Sequence, residues 1–142
     1  MNLLKLFSLT TSLFLLSQVA FAVQPAPKEC PSLSKIKQGN FRTALIEEHS
    51  GEFGNLYYVY QIDNFDMPQT WLFGTLGGGQ TPAEAILFAM TWLSTLNNTP
   101  YPKQHYGVWV CEYGEDTGAM TIADDKGDLV APSPEQAMSL LK

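Results

Sequence analysis

The stretch LYYVYQIDNFDMPQTWLFGTLGGGQTPAE, residues 56–84, contains two strands, two breaks and a helix start, and their order decides the fold. Leu56 to Asp63 is dense in aromatic and β-branched side chains, which pack well on a pleated surface, so it reads as a strand. Asp63 to Pro68 breaks it, Trp71 to Leu76 forms the next strand, and Gly77-Gly78-Gly79 ends that one. Thr81 then offers an N-cap, Pro82 suits the first helical position, and Glu84 can reach back to complete a capping box. Ile86, Met90, Leu93 and Leu96 recur at helical spacing. That stripe needs a sheet to lie on, and Asn97-Asn98, ahead of Pro100, should end the helix.

Working outward, Pro31 to Gln38 reads as a short helix or turn closed by Gly39-Asn40, and Phe41 to His49 as a strand. Beyond the helix, His105 to Tyr113 reads as one strand, with Tyr106, Val108 and Val110 on one face and Gly107, Trp109 and Cys111 on the other. Gly118 to Ala123 is a shorter strand, Asp124 to Asp128 a polar turn, and Ser133-Pro134-Glu135-Gln136 opens a C-terminal helix through Leu141. The expected class is α+β: a mostly antiparallel sheet of about five strands, in the order β-β-β-α-β-β-α, packed against one main helix with a short C-terminal helix. Adjacent strand residues such as Tyr57 and Tyr58 point to opposite sides, so both faces of the sheet are apolar. The main helix covers only one of them.

The chain begins with the marks of an export signal. Lys5 follows Met1-Asn2, an apolar run extends to Leu16, and Ala20-Phe21-Ala22 is a small-x-small cleavage site. The run is shorter than the roughly 20 residues needed to cross a bilayer, so cleavage after Ala22 is expected rather than stable membrane insertion. Residues 23–29 then form a flexible leader with two prolines, and residues 30–142 a single domain. The part after the cut carries all fourteen Asp and Glu but seven of the eight Lys and Arg, a net charge of −7. That charge repels nucleic acid and anionic lipid.

Cys30 and Cys111 are the only cysteines, and an exported chain meets an oxidising compartment, so they are expected to bridge. The motifs for catalysis are thin. His49 and His105 lie in no zinc-ligand spacing, and no G-x-S-x-G elbow marks a nucleophile. The acidic pairs Glu47-Glu48 and Asp124-Asp125 are sequence neighbours that diverge on a strand, so neither converges on one cleft. Asp124, Asp125 and Asp128 around Gly127 lack the alternating pattern and terminal Glu of a calcium loop. No cofactor and no metal are therefore expected.

Two features point towards binding. One is the aromatic surplus, Tyr57, Tyr58, Tyr60, Trp71, Phe73 and Trp109, which the two faces of the sheet must either bury or present to a partner. The other is Gly77-Gly78-Gly79-Gln80, running into a helix start where backbone N–H groups could gather around an anion, although it lacks the Lys-Ser/Thr of a phosphate loop.

The signal, the Cys30-Pro31-Ser32-Leu33 opening, the strand order and the length together resemble a family of uncharacterised small secreted proteins from Legionella-like bacteria. The resemblance implies export and a connection with host infection, and it carries over no functional residue. The leading expectation is a non-enzymatic secreted binding or effector protein contacting a protein or small ligand. A small extracytoplasmic hydrolase built around His49 or His105 is the alternative, and a periplasmic inhibitor or assembly factor is another.

Overall fold

A computed structural model describes residues 26–49, 51–52 and 54–123. Its elements are α1 (Leu33–Ile36), β1 (Arg42–Glu47), β2 (Asn55–Asp63), β3 (Trp71–Gly79), α2 (Pro82–Thr95), β4 (Lys103–His105), β5 (Val108–Gly114) and β6 (Thr117–Thr121). All six strands form one sheet in the order β1-β2-β3-β6-β5-β4, antiparallel throughout. Two three-stranded meanders thus meet in the middle. Helix α2 carries the chain from the first to the far edge of the second, so β6 can lie beside β3.

The α+β class, the antiparallel sheet and the dominant helix are as expected, and the described residues hold six strands where about five were expected. The expected single strand from His105 to Tyr113 is a hairpin, with Tyr106 and Gly107 both at positive φ, 47° and 84°. Those dihedrals belong to a two-residue turn matched to the twist of the flanking strands. Tyr106 therefore lies on an exposed turn, while Val108 and Val110 keep the alternation opposite Trp109 and Cys111. The expected turn at Asp124–Asp128 and the C-terminal helix lie outside the described residues.

The triple glycine is the second correction. It does not end β3 but extends it, with Gly77, Gly78 and Gly79 paired to Tyr57, Leu56 and Asn55. The reason lies above the strand. A Cβ on Gly77 would stand 2.5 Å from the carbonyl oxygen of Ala85, and one on Gly79 would be 2.6 Å from the Glu84 side chain. Glycine there lets α2 approach the sheet closely through its own small residues, Ala85 and Ala89, which are fully buried.

Both described helices pack on one face. There Trp71, Phe73, Ala119, Cys111 and Tyr113 meet Ile36 of α1 and Leu93 of α2, while Tyr57 and Val59 meet Ala85 and Ala89. The other face buries Tyr58, Leu72, Val108, Val110 and Met120. Tyr58 stacks on Tyr60, centroids 5.8 Å apart, and its hydroxyl end lies where a Cβ on Gly74 would fall. Helix α2 begins as its sequence indicates, with the Thr81 hydroxyl accepting from the Glu84 N–H at 3.3 Å and the Glu84 carboxylate taking the Gln80 N–H at 2.7 Å.

Candidate functional site

The segment from Cys30 to Ile36 crosses the helix-covered face and is pinned there at three points. Cys30 is bonded to Cys111 in β5, with Cα atoms 5.9 Å apart. The Tyr113 hydroxyl, two residues on along the same face, donates to the Pro31 carbonyl. The buried Gln61 amide of β2 donates to the Ile36 carbonyl at 2.7 Å, which also accepts the Gly39 N–H at 3.1 Å. Removing the Tyr113 proton would leave an anion in the core, and burial pushes this phenol well above its usual range, as it does for Tyr58.

Beside this segment two others rise. The β2–β3 connection turns sharply at Phe65 and Asp66, both at positive φ, 50° and 62°. Such a backbone is costly for residues other than glycine, and side-chain caps hold it here. Asp63 accepts from the Asn64 and Phe65 N–H groups, and Asn64 from that of Asp66. Phe65 is thereby turned inwards against Ile36 and Trp71, and Asp66 outwards to pair with Lys35 at 2.5 Å. The Asp66 hydrogen bond and charge raise the Lys35 ammonium above its usual range. Both partners are largely exposed, so the pair contributes little to stability. The third segment is the extended run from Leu96 to Tyr101 after α2.

Between the three lies a cleft of about 590 Å³, within the usual range for small-ligand sites, roughly 300–1,000 Å³. Its lining mixes apolar groups, Leu33, Phe65, Met67, Leu96 and Tyr101, with the amides of Asn97 and Asn98 and the Lys35–Asp66 pair. Tyr101 is 82% exposed, an aromatic ring with no core role.

The residues singled out from the sequence as binding candidates lie elsewhere. Tyr57, Tyr58, Trp71 and Phe73 are buried core residues, whereas Tyr60 and Trp109 are half-buried. Gly77, Gly78 and Gly79 are strand residues under α2, and Gln80 gives its N–H to Glu84 and its side-chain amide to the Gly51 carbonyl. His49 and His105 are exposed; His49 is 3.5 Å from Glu47, and His105 lies against the Tyr106 ring. Neither histidine lines the cleft. Among the described residues, no group of three or more His, Cys, Asp or Glu is placed to hold a metal ion, and no helix is long and apolar enough to cross a membrane.

A second surface stands out on α2. Its outward side carries Leu87, Phe88 and Trp92, exposed at 67%, 58% and 36%. Glu84 is the helix's only charged residue, and Thr91, Ser94 and Thr95 are the exposed polar residues nearest these side chains. Trp92 is anchored at its inner edge, where the indole N–H donates to the Thr117 hydroxyl at 2.9 Å.

No family model matches the chain, and no curated protein or solved structure matches it.

Proposed function

We propose that the protein is an exported, disulfide-stapled binding protein, acting without catalysis, whose ligand surface is the cleft between Cys30–Lys35, Phe65–Met67 and Leu96–Tyr101. The observation that carries this reading is the pinning of one wall of the cleft by the bridge, Tyr113 and Gln61. A wall already ordered before binding spares the ligand the cost of ordering it. The disulfide also fits an oxidising compartment, in keeping with the signal-like N-terminus and with the resemblance to secreted, host-associated proteins. The alternative of hydrolysis around His49 or His105 draws no support from this cleft, because a general base must reach the reacting group and both histidines stand outside the lining.

The apolar outer side of α2 favours a second reading, an inhibitor or assembly factor that docks a protein there. Amide-shift mapping of the isotope-labelled mature protein against mixed pools of short peptides, oligosaccharides and small metabolites separates the two. Responses grouped on the three cleft segments support the first reading. Responses grouped on Leu87, Phe88 and Trp92 replace it with the second, and a response at neither surface contradicts both.

A further inference from the structure

We infer that the ligand class of this cleft is a neutral saccharide, an assignment that rests on the cleft being the binding surface. The first ground is charge. Lys35 is the only cation in the lining, it is engaged by Asp66, and Glu29 adds a second carboxylate, so an anionic ligand meets net negative charge. The second ground is backbone. A peptide that adds to the sheet as a strand needs an unpaired edge, and among the described residues the free edges are β1 and β4, neither of which contributes to the lining.

The third ground is the pairing of surfaces. A purely apolar ligand would desolvate the Asn97 and Asn98 amides without offering them partners. A sugar ring answers both halves of the lining at once. Its C–H face stacks on an exposed aromatic ring, the role open to Tyr101, and its rim of hydroxyls both donates and accepts, as the amides do. No charge has to be neutralised. The apolar floor of Phe65, Met67 and Leu96 accepts the ring carbons.

Calorimetric and amide-shift titration with soluble neutral oligomers of glucose, mannose and N-acetylglucosamine tests the assignment, with Tyr101→Ala and Tyr106→Ala as the paired variants. Both tyrosines are 82% exposed, but only Tyr101 lines the cleft, so neither change should disturb folding. One of the oligomers should shift the cleft amides, and Tyr101→Ala should weaken it about tenfold while Tyr106→Ala leaves it unchanged. Equal loss in both variants, or none in either, overturns the assignment. Cleft shifts from a peptide pool without any from the oligomers overturn the saccharide class and leave the cleft reading standing, whereas oligomer shifts on the outer side of α2 overturn both.

Discussion

Replacing Cys30 and Cys111 by serine together should reduce stability by about 4–5 kcal/mol. The cysteines are separated by 81 positions, and in the chain-entropy treatment closing a loop of that length removes about 15 cal/mol/K from the unfolded ensemble, or about 4.5 kcal/mol at 25 °C. A domain of this size has on the order of 5–15 kcal/mol in total, so the variant should remain measurable but marginal. Two native effects add to the loss. Cys111 is fully buried, so a serine hydroxyl there loses water, and the Tyr113–Pro31 hydrogen bond must hold the segment without the bridge. Urea unfolding followed by tryptophan fluorescence reads the result. With a slope of about 1.5 kcal/mol/M the midpoint should fall by about 3 M. A shift below about 0.5 M, with intact protein confirmed to lack free thiols, would refute the reasoning, since it would mean that the unfolded chain gains no freedom when the bridge is removed.

Three further outcomes follow from the packing. Gly77→Ala should destabilise by about 1–3 kcal/mol, because its methyl meets the Ala85 carbonyl, while Gly51→Ala, with open space around it, should not destabilise; thermal melts compare them. Thr81→Ala should cost about 1 kcal/mol through the lost N-cap, read by denaturant midpoint. Tyr58 and Tyr113 have folded-state pKa values raised by burial, so above about pH 10 the unfolded chain releases protons that the folded chain keeps. Stability should then fall as pH rises, by up to about 1.4 kcal/mol per pH unit for each ring, and phenolate absorbance from these two should appear only on unfolding.

What could be read from the sequence was what local chemistry decides. The β2 run of Tyr and Val, the Thr81-Pro82-Ala83-Glu84 helix start and the cysteine pair each declare themselves within a few residues or through the compartment, and each is found in place. The β4–β5 hairpin was missed because Tyr, rather than Asn or Asp, opens its turn, so only Gly107 betrays it. The glycines of β3 misled for the opposite reason: glycine usually marks a turn, but here the demand comes from a helix that passes over the strand in space. The cleft left no local signal. Its walls come from segments about 30 residues apart that only the sheet brings together, and no motif marks Tyr101. The Asn64 and Asp63 caps that aim Phe65 and Asp66 could be suspected from the Asp63-Asn64 pair, but the direction of the turn could not.

The most direct test of the disulfide-held cleft as the binding surface is amide-shift mapping of the same ligand pools on the oxidised protein and on the double Cys→Ser variant, at a temperature where both give dispersed spectra. The account predicts responses at Ser32–Lys35, Phe65–Met67 and Asn97–Tyr101 in the oxidised protein, and their loss or at least a tenfold weaker affinity without the bridge. Responses that persist undiminished without the bridge, or that fall on Leu87, Phe88 and Trp92 in both proteins, would contradict it.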